Sequence, residues 1–413
     1  MPLTRKVDLY ALFLLIPGSV LSQIDHAALN TLVNRARETH SSALVVYHDD
    51  KLILDECFDK TCEPIDAMSA TKSIVSLGIG LLITEGILSS IDERVFNFYP
   101  EWNQGLKKEI TIRHLLNHTS GIQSLRYASE IYQSPDYVQL ALAADIDTEP
   151  GTTFFYNNKA VNLLAGIIEK ASGMRMDHYI SEKIFKPLEI ENFIWLTDAF
   201  VYSFRSGYDS AYLKKGNPIG MAGLLIHASD MAKIGLLVFH RGNWQGKQII
   251  AESWIDECMK PGQNFNATYG LLWWLIYDPT TSYITFDGQD IQKLRDLRLN
   301  DTLIHDLESV SGRYRDSEAF WKTVEALTSV KAMGGRTALR EALFKRSFFE
   351  DIYTFVTQHS RIVGVAARGS LGQLMNVFPD KKLVVVRTIR QGNSKSPADN
   401  FTDFDRLSYE VVK

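Results

Sequence analysis

Strand-like segments stand at both ends of this chain with a long helical stretch between them, and that separation limits the folds open to it. Near the N-terminus, ALVVYHDDKLILDEC alternates around a His-Asp-Asp turn, which predicts a β-hairpin over Ala43–Cys57. Near the C-terminus, RIVGVAARGS, GQLMNVFP and KLVVVRTIR give three further strands, parted by Gly and by Pro-Asp-Lys-Lys. Strands joined by short turns are antiparallel, so the two chain ends are expected to build one five-stranded antiparallel sheet. A helix is expected from Asp25 to Glu38. Apolar residues at helical spacing predict others over Ser69–Glu85, Ile112–Asn117, Asn158–Ser172 and Ser229–Arg241, with Gly86, Gly173 and Gly242 just past three of the ends. The expected plan is α+β: a sheet region from 23–65 and 361–413, and a mainly helical region over 66–278.

Residues 279–360 read as an additional helical piece. DSEAFWKTVEALTSV places Phe320, Val324 and Leu327 on one face, TALREALFKRSFFEDIYTFV carries Leu339, Leu343, Ile352 and Phe355, and Gly334-Gly335 separates the two. Two readings stand: a packed helical subdomain, or a lid, since an insertion this long just before a catalytic strand can reach the cleft.

Residues 1–22 run from a basic MPLTRKVD through the apolar LYALFLLIPGSVL to small residues, the pattern of a signal peptide cut after Ser22. A membrane anchor or an ordinary N-terminal helix is the alternative, but the run is short for a span and holds Pro17-Gly18. Export to the periplasm or outside the cell is therefore expected, with no stable membrane span after signal removal.

The chain has 413 residues, 45% hydrophobic and 23% charged, a composition that supports a substantial folded core and excludes large-scale disorder. Its 44 basic and 49 acidic residues leave a net charge of -5 with no basic stripe, which disfavours nucleic acid as a partner. No Cys/His set has zinc spacing, so neither a metal nor another cofactor is implied. Of the three cysteines, Cys57 and Cys62 would most simply pair in an exported chain, with buried free thiols as the alternative; Cys258 stands apart.

Chemistry enters at MSATKSIVSLGIGLLITEG, residues 68–86. One helical turn brings Ser69 and Lys72 together, the helix start offers N–H groups to a developing oxyanion, and the apolar neighbours Ile74, Val75, Leu77 and Ile79 would desolvate the lysine into a usable base. A capping serine and a solvated lysine would show the same spacing. In EPGTTFFYNNKAVNLLAGIIEKASG, Tyr156 and Asn158 stand just before or at a helix start. There a tyrosine beside an ammonium can serve as a base and an asparagine can contact both lysine and substrate, or the pair can be a core ring and a cap. His114 and His118 suggest a triad, but no Gly-x-Ser-x-Gly elbow accompanies them, and Ser120 reads as a loop residue.

Taken in order, these segments resemble the serine β-lactamase and penicillin-binding-protein superfamily, in its class C β-lactamase-related, esterase-like branch. The residues that carry the resemblance are MSATKSIVSLGIGLL, ITIRHLLNHTSGI, YNN at Tyr156 to Asn158, IFKPLEI, AGLLIHASDMAKIGLLVFHRGNWQGKQII, YGLLWWL and ARGSLGQLMNVFPDKKLVVV. They cover about Asp25 to Ile276 and Val363 to the C-terminus. The resemblance implies a β-lactamase/transpeptidase-like fold, Ser69 as acylated nucleophile, Lys72 as its proton partner, Tyr156 as general base and Asn158 as a substrate contact. It also implies an oxyanion hole from the backbone N–H groups of Ser69 and Ser370. Where the family has Lys-Thr-Gly this chain has Ala367-Arg368-Gly369; Arg368 either clamps a substrate carboxylate or points to the opposite sheet face. The implied activity is serine hydrolysis of a small ester, amide or peptide, with a β-lactamase or D-alanyl carboxypeptidase, or a non-hydrolysing penicillin-binding-like protein, as alternatives.

Overall fold

The two chain ends do meet in one sheet. The computed structural model describes residues 23–125, 128–207, 216–315, 317–347 and 357–413; the segment read as a signal peptide lies outside the described residues, as do Ile352 and Phe355. β1 (Ala43–His48) and β2 (Lys51–Cys57) form the N-terminal hairpin, turning through Asp49 and Asp50 at φ of 47° and 64°, the left-handed pair of a type I′ turn. β3 (Trp274–Tyr277), β4 (Ile362–Gly369), β5 (Gln373–Phe378) and β6 (Leu383–Thr388) complete it in the order β2-β1-β6-β5-β4-β3, every neighbour antiparallel. The sheet thus has six strands rather than the expected five. The extra edge strand, β3, lies in a continuous apolar run, where periodicity cannot separate a buried strand from a buried helix segment.

Five helices pack into the cores on either side of this sheet: α1 (His26–Glu38), α2 (Thr71–Thr84), α3 (Asn158–Ser172), α4 (Ala228–Phe239) and α5 (Phe404–Glu410). Asp25 caps α1 by accepting from the Ala27 and Ala28 N–H groups, and Gly173 ends α3 at φ 74°. Because a strand sends alternate side chains to opposite faces, the sheet separates two cores. Leu44, Ala366, Leu374 and Val385 pack with Leu32 of α1 and with Phe404 and Leu407 of α5. Val45, Val365, Ala367, Met375 and Val386 pack with α2, α3 and α4 in the larger core. Each such Val, Leu, Met or Phe side chain contributes roughly 1.5–3 kcal/mol by leaving water.

A charge is buried among the first of these cores. Arg387 of β6 pairs with Leu44 and Leu374 and is fully enclosed. Its Nε donates to Ser41 Oγ at 2.8 Å, and its terminal nitrogens donate to the carbonyls of Thr39, Leu371, Gly372 and Asp399 at 2.7–3.0 Å. One guanidinium therefore ties the N-terminal segment, the β4–β5 turn and the C-terminal segment together.

Cys57 and Cys62 are disulfide-bonded, and Cys258 is free and buried. The 279–360 stretch holds helices Asp301–Glu308, Ser317–Ala326 and Gly335–Ser347, together with three short strands, 283–286, 312–314 and 357–359. Phe320, Val324, Leu339 and Leu343 lie in a core drawn wholly from residues 284–343. The stretch is rooted where Tyr277 pairs with Ile362, at the opposite end of β4 from Gly369, roughly 23 Å away at a strand's rise per residue. Among the described residues, no helix is long and apolar enough to cross a membrane.

Replacing Arg387 by Met should leave several buried acceptors unpaired and lower stability by on the order of 3 kcal/mol or more. The denaturant midpoint should fall with little change in the slope of the transition; an unshifted midpoint would show that the guanidinium does not tie the chain ends.

Candidate active site

Ser69 sits in a turn that two backbone constraints shape. A short three-stranded sheet pairs Ile65–Asp66 and Phe193–Trp195 with Leu224–Ile226, so Asp66 comes beside the 223–225 segment. The Asp66 carboxylate accepts from the Met68 N–H at 2.7 Å and from the Gly223 N–H at 3.2 Å. Met68 is thereby held at φ 49°, uncommon for a residue with a side chain. A 3₁₀ turn, Met68–Ala70, follows and runs directly into α2, with Ser69 in its middle. Burial pushes the Asp66 carboxyl above its ordinary value.

From Thr71 to Leu82 every residue of α2 is buried, so Lys72 enters the core with the helix. It is 1% exposed. Its Nζ lies 2.9 Å from Ser69 Oγ and 2.7 Å from the Met221 carbonyl oxygen, and 5.0 Å from the centre of the Tyr156 ring. Desolvation lowers its pKa from the ordinary 10.5 to about 7. The amine is therefore available as a base near neutrality. Met221 supplies an acceptor that cannot donate, so a neutral Lys72 gives it one N–H and keeps its lone pair for Ser69.

Tyr156 lies in a nest of rings. Its ring centre is 4.5 Å from that of His118 and 6.2 Å from that of Trp274, which stacks on it. His118 is fully buried; its Nδ1 accepts from the Asn157 N–H at 3.1 Å, which leaves Nε2 to donate to Tyr269 Oη at 3.1 Å. Burial, with Lys72 adding repulsion, holds the imidazole well below its ordinary pKa. His118 thus fixes the loop that carries Tyr156. His114 caps its own short helix through the reciprocal contact of its Nδ1 and N–H with Thr111. Neither histidine is hydrogen-bonded to Ser69. Asn157 caps α3 by accepting from the Ala160 N–H, while Asn158, half-buried at the first position of α3, has no side-chain hydrogen bond among the described residues.

The third motif reaches the same region through close contact. A Cβ on Gly369 would come 2.2 Å from the Ala67 carbonyl oxygen and 2.9 Å from Met68 Cβ, so only glycine lets the end of β4 lie against the Ser69 turn. Ser370 follows and opens the β4–β5 turn. Arg368 goes the other way. It pairs with Leu374, on the face covered by α1 and α5, and its guanidinium meets Asp405 of α5 at 2.5 Å. Asn376 Nδ2 donates to the same carboxylate at 2.9 Å. An open cleft of about 520 Å³ borders Arg368, Gly369, Ser370, Asn400, Thr402 and Asp405, but Ser69, Lys72 and Tyr156 do not line it.

Sequence reasoning did not find Asp66, Met221 or Trp274. Met221 acts through a backbone carbonyl, which leaves no side-chain signature, whereas Asp66 just before an apolar helix was a visible signal for a turn.

Residues 29–403 match the model of the Beta-lactamase family. The chain belongs to that family. Penicillin-binding protein 4* of Bacillus subtilis (strain 168) is 36% identical over 140 residues, which is 31% of this chain and 30% of that relative's length. Two solved structures share the fold: a penicillin-binding protein from Bacillus halodurans (TM-score 0.55, 14% identity, 93% of this chain and 100% of that one) and the octameric penicillin-binding protein homologue from Pyrococcus abyssi (TM-score 0.52, 21% identity, 89% and 73%). At these identities the likeness speaks for the fold alone. The chain thus spans less than a third of the length of that curated Bacillus subtilis relative.

The lowered Lys72 pKa has a consequence for stability. A buried ammonium destabilises the fold fully below about pH 7, and the penalty is relieved as pH rises from there through the unfolded value of 10.5. Lys72→Met should therefore melt above the wild type at pH 6, with the gap narrowing by pH 10; a gap that does not vary with pH would mean that Lys72 has an ordinary pKa.

Proposed function

We propose that this Beta-lactamase family member hydrolyses an ester or amide through an acyl-enzyme on Ser69. The observation that carries the proposal is the buried Lys72 amine 2.9 Å from Ser69 Oγ, with a pKa near neutrality. Neutral Lys72 takes the Ser69 proton as Oγ bonds to the substrate carbonyl carbon, and the carbonyl oxygen becomes the oxyanion. The Ser69 and Ser370 N–H groups are assigned to that oxyanion; the close packing of Gly369 on Ala67 and Met68 supports the pairing of these two backbone segments. The C–O or C–N bond then breaks, and the proton held by Lys72 passes, with Tyr156 alongside, to the leaving group. Water enters by the reverse route: Tyr156 and Lys72 withdraw its proton, it attacks the acyl carbon, and Ser69 leaves reprotonated. Asn158, half-buried with its amide unengaged among the described residues, is assigned to the substrate.

The substrate assignment leans toward neutral esters and amides. Ala367 replaces the family's lysine, and Arg368 is held by Asp405, so the third motif offers no unpaired cation to a carboxylate such as β-lactams carry. The Cys57–Cys62 disulfide supports an exported protein, in agreement with the basic-then-apolar N-terminal sequence.

A fluorophosphonate should label Ser69, and Ser69→Ala should abolish labelling and turnover while melting as the wild type does. Turnover of a short-chain aryl ester should rise as pH increases through about 7, where Lys72 loses its proton, and should exceed turnover of a chromogenic cephalosporin. Labelling at another serine would sink the nucleophile assignment, and preferential cephalosporin turnover would sink the substrate assignment.

A further inference from the structure

Asn158 and Asn162 share a face of α3, one turn apart, and only Asn162 is buried, at 1% exposure. Its Oδ1 accepts from two successive backbone donors, the Gly220 N–H at 3.0 Å and the Met221 N–H at 3.2 Å. These two donors fix which way the amide faces, because only the oxygen can accept. The Nδ2 that results has no hydrogen-bond partner among the described residues and is enclosed. An orphaned buried donor is destabilising, so the fold tolerates a cost to keep an acceptor at this point. The backbone it holds lies tight against α3: a Cβ on Gly220 would come 2.7 Å from the Val161 carbonyl oxygen. Ile219, one residue earlier, is held independently, its N–H by the Leu196 carbonyl at 3.0 Å and its carbonyl by Trp195 Nε1 at 2.9 Å. The next two N–H groups depend on Asn162, and the Met221 carbonyl beyond them receives Lys72 Nζ at 2.7 Å.

We propose that Asn162 is a positioning residue for the base: by fixing the Gly220-Met221 backbone it aims the Met221 carbonyl at Lys72 Nζ and so turns the amine's lone pair toward Ser69 Oγ. The inference rests on the reading of Ser69 and Lys72 as nucleophile and base. Among the described residues, the other titratable groups facing Lys72 are Tyr156, from the loop before α3, and His118, whose neutral ring stands behind Tyr156. Lys159, the buried cation next to Asn158, is paired with Glu130 at 3.0 Å.

The test is the rate at which a fluorophosphonate labels Ser69, followed across pH in the wild type, Asn162→Leu and Asn162→Asp, with the melting temperature of each. Asn162→Leu removes the acceptor; labelling should slow by about tenfold or more, as a misaimed reacting group does, and the midpoint of the pH profile should move down because the ammonium loses a fixed acceptor. Asn162→Asp keeps an acceptor for both N–H groups; it should restore most of the rate and move the midpoint up, since a carboxylate favours the charged lysine. Equal rates and midpoints in all three proteins would overturn the inference, as would slowing in Asn162→Leu that leaves the midpoint unmoved or merely follows a lost fold. A wild type that is not labelled at Ser69 would overturn the reading beneath it and the inference with it.

Discussion

The burial of one lysine amine beside one serine hydroxyl organises this molecule. A lysine at the surface stays charged and cannot take a proton at neutral pH; Lys72 can do so because α2 is surrounded on every side. That position demands a helix apolar all round, a sheet and helices to enclose it, and a polar acceptor inside the core so that the amine is not stranded. The Met221 carbonyl meets the last demand, and Ser69 shares the contact. Unpaired burial would leave the amine's donors unsatisfied, a cost the core could not offset with packing alone.

Holding Ser69 at that amine requires segments distant in sequence to be rigid together. Asp66 links the Met68 turn to Gly223, Gly369 lets the end of β4 press on Ala67, and His118 ties the Tyr156 loop to Tyr269. Each link is a backbone contact or a hydrogen bond to backbone, or is braced by one. The sheet behind them is fixed in turn by Arg387, whose acceptors lie on three separated stretches of chain. Rigid elements, rather than loops alone, thus define the distances at the site.

Much of this is legible in the sequence alone. The α3 limits, Asn158 to Ser172, follow from apolar spacing and Gly173, and the N-terminal hairpin follows from alternation about Asp49-Asp50. The Ser69–Lys72 contact follows from helical geometry. Other features have no local signature. β3 is a four-residue strand in an unbroken apolar run, so its identity depends on pairing with β4. Which face Arg368 takes depends on register: a slip of one residue would turn it toward Ser69 and turn Ala367 away. The Met221 carbonyl is invisible because every residue has one, and Asn162 is a polar position within an apolar stripe whose partners lie about sixty residues on, at Gly220 and Met221.

The availability of a neutral Lys72 amine near neutral pH follows from where α2 puts it. It is tested most directly by an NMR titration of the Lys72 side chain, through its Cε and Nζ resonances, assigned by their loss in Lys72→Arg. The titration midpoint should lie at about 7. A midpoint near 10.5, the ordinary value for an exposed lysine, would contradict it.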